Sequence, residues 1–66
     1  MGMLSNQKVL QVRLDCLEVL ITTRAPRASL LEQGRLLRKI DVQTDPEITV
    51  EQKVRYRNLM SLANLT

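Results

Sequence analysis

All-α is the class expected of this chain, as three helices spanning about 5–24, 29–41 and 46–65. Leu occurs twelve times across all three spans, and β-branched residues never form a long run. The breaks between the spans sit at Ala25-Pro26 and Asp45-Pro46, where the residue before each proline is pushed out of the α region. The whole chain, 1–66, reads as a single helical domain that assembles as a homodimer or higher oligomer with its first helix central.

The first helix opens at Ser5 and Asn6, both good N-caps. Its apolar residues, from Val9 and Leu10 through Val12, Leu14, Cys16, Leu17, Val19 and Leu20 to Ile21, fill an arc of about 220° at 100° per residue. One neighbour needs a stripe roughly half as wide, so this helix is expected to be covered on two sides. Cys16 falls within the arc and is expected to act as a small hydrophobe. Leu10, Val12, Leu14 and Cys16 also alternate with polar residues at the strand period, but the alternation fails at Leu17 and no hairpin partner follows, which favours helix.

In the second helix Ser29 and Glu32 have capping-box spacing. Leu30, Leu36, Leu37 and Ile40 gather on one face, with Glu32, Arg35, Arg38 and Lys39 opposite. Gly34 lies inside this helix, either as an uncompensated interior glycine or as a point of close crossing. The third helix has two possible starts, Asp45 followed by Pro46 or the capping box Thr49 with Gln52. Its apolar residues split into two groups, Tyr56, Leu59, Met60 and Ala63 against Val50, Val54 and Leu65, with Leu62 between. Such a helix touches two things.

Assembly is expected from size. Folding a chain of 7.6 kDa removes ~6,700 Å² from water, and the apolar share contributes ~100 kcal/mol, against an ordering cost of similar size. With one Tyr and neither Phe nor Trp, the core lacks the large rings that carry many small domains. Leu10, Leu14, Leu17 and Ile21, spaced four, three and four, form a short heptad seam and are the expected oligomer interface. Arg13 projects into the same apolar arc and is the residue expected to make an intermolecular salt bridge, if it does not snorkel over a neighbour.

Several chemistries are excluded by composition. The chain has no His, one Cys and two Gly, which removes zinc fingers, Cys/His nucleophiles, disulfide frameworks and phosphate-cradling glycine loops. Asp15 and Glu18 share a helix face, but on the polar side and without a cleft. We therefore expect no enzyme, no catalytic or metal-binding residue and no cofactor. There is no apolar run long enough for a membrane span, and the first residues lack signal-peptide character. Met1-Gly2-Met3-Leu4-Ser5-Asn6 misses the myristoylation pattern at Asn6. A cytoplasmic protein is expected.

Charge divides the remaining readings. Net charge is +3 and the pI about 9.6, with seven of the ten cations Arg. Arg24, Arg27, Arg35, Arg38 and Lys39 make a basic block, Asp41, Asp45 and Glu47 an acidic one, and Lys53, Arg55 and Arg57 a second basic one. Such alternation suits pairing with carboxylates of another subunit or another protein, so the first block is a candidate charged partner surface. The leading expectation is a non-enzymatic protein–protein interaction module, an adaptor, assembly subunit or inhibitor, with itself and another protein as partners. The alternative is a small basic helical nucleic-acid-binding regulator, with Arg55-Tyr56-Arg57 as a stacking platform. In its economy the chain resembles accessory proteins of phages and mobile elements, a likeness of composition that covers no motif and assigns no residue.

Overall fold

The computed structural model describes residues 5–65; residues 1–4, most of the lipidation pattern weighed above, and residue 66 lie outside the described residues. Three helices follow in order, α1 (Asn6–Thr22), α2 (Arg27–Arg38) and α3 (Val50–Leu62). α1 packs against both others, which touch each other only slightly. None of these helices is long and apolar enough to cross a membrane.

α1 starts as its sequence suggests, with the Ser5 hydroxyl accepting from the Lys8 N–H at 3.3 Å. It ends in a Schellman turn, in which the Ala25 N–H reaches the Leu20 carbonyl at 2.9 Å and the Arg24 N–H the Ile21 carbonyl at 3.2 Å. This motif needs a left-handed residue, and Arg24 supplies it at φ 56°. α3 ends the same way: Leu65 N–H bonds the Met60 carbonyl at 2.8 Å, and Asn64 is left-handed at φ 58°.

The second helix departs from expectation. It begins at Arg27 behind Pro26, and no side chain caps it, so Ser29 lies within the first turn and is not a capping residue. Proline at the cap position sets the chain direction three residues before Ser29 could. Glu32 instead pairs with Arg35 one turn along. The helix stops at Arg38 and not at Asp41.

At the third helix the Thr49 box is the one used. The Thr49 hydroxyl accepts from the Gln52 N–H at 3.1 Å, and the Thr49 N–H donates to Gln52 Oε1 at 3.1 Å. Asp45 shapes the connector before it, accepting from the Glu47 N–H at 2.9 Å and from Asn6 Nδ2 at 3.1 Å. Asp41 accepts from the Thr44 N–H at 3.3 Å. These acidic turns fold residues 39–49 so that Val42 and Ile48 drop into the core.

Along α1 and α3 the cross-links advance together, Gln52 to Gln11 and then Arg55 to Asp15 and Glu18, so the two helices run in the same direction. A chain that has already turned back through α2 must return along the bundle before starting α3. That return is the long connector.

The core contains Leu10, Leu14 and Leu17 of α1, all without exposed surface, together with Leu37, Val42, Ile48, Leu59, Met60, Ala63 and Leu65. Ile21, Leu30, Ile40 and Tyr56 pack at its edge. The heptad seam expected at an oligomer interface thus closes the chain's own core: Leu10, Leu14 and Leu17 present no surface to another subunit, and Ile21 is half-buried. Cys16, expected among the apolar residues, is exposed. The reason is angular. α2 and α3 cover the side of α1 bearing Leu10, Leu14 and Leu17, leaving the far edge of the arc with Val12, Cys16 and Val19 outside.

Candidate functional site

Of the two apolar groups expected on α3, the fold packs the first inward and takes from the second only Leu65, which lies past the helix end and turns into the core. Leu59, Met60 and Ala63 face inward, while Val50, Val54 and Leu62 remain outside with 74%, 45% and 71% of their surface exposed. Turned partly toward the second half of α1, they line a groove of about 650 Å³ whose other wall includes Ile21, Thr22 and Glu18. A smaller recess of about 370 Å³ shares Glu18, Thr22 and Arg55 with it and extends to Val19, itself 58% exposed.

An ion group crosses from α3 to α1 beside this groove. Arg55 Nη1 lies 2.8 Å from Asp15 Oδ1, and Nη2 lies 2.5 Å from Glu18 Oε1. The guanidinium is held above its ordinary range, first by the hydrogen bond to Glu18, with Asp15 adding to it and partial burial opposing. Asp15 and Glu18, which sequence reasoning weighed only as a carboxylate pair, are therefore two prongs for one fork. Their spacing of three residues on one face is what a bidentate cation needs, but no local signal identifies a cation from another helix as its owner. Glu51, at the start of α3, also lines the groove, as does the neutral Asn58.

The structure scatters the tasks of the residues expected to form a charged partner surface. Arg27 donates to the carbonyls of Ala63 at 2.6 Å and Asn64 at 2.7 Å, and Arg38 donates to the Leu65 carbonyl. Arg35 pairs with Glu32, Arg24 forms the turn after α1, and Lys39 closes α2. What Arg27 and Arg38 gather is the segment just after α3, residues 63–65. Arg13 is half-buried and makes no salt bridge among the described residues. Tyr56, flanked by Arg55 and Arg57, leans on the core, and Arg55 is committed to α1.

Chemically, the groove offers aliphatic surface bordered by carboxylates and two neutral hydrogen-bonding side chains, Thr22 and Asn58. Compared with protein families, characterised proteins and solved structures, the chain matches none.

Proposed function

We propose that the chain is a non-enzymatic protein-interaction module that receives a helix of its partner in the groove between α1 and α3. One observation carries the reading. Of the six large apolar side chains exposed among the described residues, Val19, Val50, Val54 and Leu62 border this groove and its adjoining recess. Single exposed apolar residues are ordinary, whereas a contiguous set along a channel favours removal of that surface from water by another molecule. The channel runs beside two helices of the same direction, a shape that a third helix fills with residues three and four apart.

The nucleic-acid alternative finds less support, because Arg27, Arg35, Arg38 and Arg55 are held by carbonyls or carboxylates of the chain itself. The test follows the methyl signals of Val50, Val54 and Leu62 by NMR during titration with a model amphipathic helix and, separately, with duplex DNA. Shifts at the groove with the helix, with the Val50 methyl shifts lost in a Val54→Thr/Leu62→Gln double variant, support the reading. Groove signals unmoved by the helix, with Arg24 and Lys39 signals moved by DNA at physiological salt, would overturn it.

A further inference from the structure

We infer that the groove selects a helix whose aliphatic stripe is flanked by Lys and Arg, a cationic partner for a protein that is itself cationic. The inference rests on the interaction reading above and specifies the partner's chemistry. Three carboxylates stand at the groove and its adjoining recess, Asp15 and Glu18 on the α1 wall and Glu51 on the α3 wall. Among the described residues the one cation lining either is Arg55, and both its terminal nitrogens already point at Asp15 and Glu18. The rim is thus net negative by two charges on a chain whose overall charge is +3. Asp15 and Glu18 keep 58% and 57% of their side-chain surface exposed, so their remaining lone pairs face an incoming ligand. The Arg fork can offer such a ligand little, since its engagement with two carboxylates uses the geometry that would recognise a third.

The same rim argues against a second copy as the occupant. A two-fold dimer would lay this net-negative patch on its own copy, so carboxylates would outnumber cations on both sides of an apolar seam. Lys and Arg flanks on a partner helix meet the rim favourably, and their aliphatic stems lie along Val50 and Leu62.

The experiment uses two synthetic helical peptides with the same Leu stripe, one with Lys at every flanking position and its twin with Glu there. Binding to the full chain is followed by fluorescence anisotropy and by the groove methyl signals. We expect the Lys peptide to bind about tenfold tighter at low salt, with the gap narrowing as salt shortens the range of charge interactions. Glu51→Gln should reduce the preference and Glu51→Lys abolish it. The net charge of the protein pulls the other way, so a Lys preference reports the rim. Equal or tighter binding of the Glu peptide at the groove overturns this inference and leaves the interaction reading standing. Failure of both peptides to move the groove signals overturns both. Groove signals that shift with protein concentration alone, together with a doubled native mass, make a second copy the occupant and overturn the inference.

Discussion

The Arg27 guanidinium, at the first residue of α2, donates to the carbonyl of Ala63 at the end of α3 at 2.6 Å, and a second nitrogen reaches the neighbouring Asn64 carbonyl at 2.7 Å. Those carbonyls belong to the C-cap of α3 and to the left-handed residue just past it, at the end of the helix where carbonyl partners are lacking and partial negative charge accumulates. α2 and α3 touch only slightly by packing, so this polar tie does much of the joining between them. Arg27→Ala should cost about 1–2 kcal/mol, an expected fall in melting temperature of about 4–8 °C per kcal/mol for a domain of this size. Arg27→Lys should recover less than half of that, because an ammonium cannot present two parallel donors. Urea denaturation of the three proteins checks both statements.

Gly34 and Leu65 form the second tie. A Cβ built on Gly34 would stand 3.0 Å from Leu65 Cδ1, which explains why a helix interior carries glycine at a buried position. Gly34→Ala gains about 1 kcal/mol of helix propensity and gives most of it back by displacing Leu65, so alone it should be near neutral. Leu65→Ala should cost about 2 kcal/mol. In that background Gly34→Ala should stabilise by about 1 kcal/mol, and the coupling between the two sites is read from a double-mutant cycle. Additive effects would show that the close approach has no energetic weight.

Arg24 holds a left-handed backbone at φ 56° where the Schellman turn favours glycine. An L side chain in this region costs roughly 1 kcal/mol, so Arg24→Gly should raise stability by up to about that amount. Asn64→Gly should gain less, because Asn tolerates the same conformation. Thermal melts of the two variants give the order directly.

Two sequence pairs with the same capping-box spacing have opposite fates. Thr49→Ala should cost about 1 kcal/mol by removing an acceptor that the Gln52 N–H uses at 3.1 Å. Ser29→Ala should change stability by less than about 0.5 kcal/mol, since Ser29 lies inside α2 and caps nothing. Equal losses at both positions would place the α2 start at Ser29 after all.

These pairs show what could be read from sequence and what could not. The class, the three helices and the central place of α1 were legible because they follow from leucine periodicity and proline breaks. The start of α2 was not, because Pro26 and Ser29 both encode a beginning and only the path out of α1 decides between them. Val42 and Ile48 lie outside any helical pattern, so nothing periodic marked them as core. The split of α3 into two apolar groups was visible, but which group faces inward depends on α1. For the same reason Asp15 and Glu18 were visible as a pair while Arg55, distant in sequence, was not their evident partner.

Leu17 and Leu62 are the same residue type on the two packed helices, and their environments predict opposite outcomes. Leu17 has no exposed surface, whereas Leu62 keeps 71% of its own. Leu17→Ala should cost about 2–5 kcal/mol through lost burial and the cavity left behind. Because that burial is complete within one chain, the loss should be the same at low and high protein concentration. An interface residue would instead show a concentration-dependent midpoint, since association then contributes to stability. Leu62→Ser should shift stability by less than about 0.5 kcal/mol and leave the urea slope unchanged, while weakening binding of a helix in the groove. Denaturation at two protein concentrations, with and without a model helix, separates the residue that builds the fold from the one left free to bind. A Leu17→Ala loss that shrinks on dilution would return Leu17 to an interface between copies.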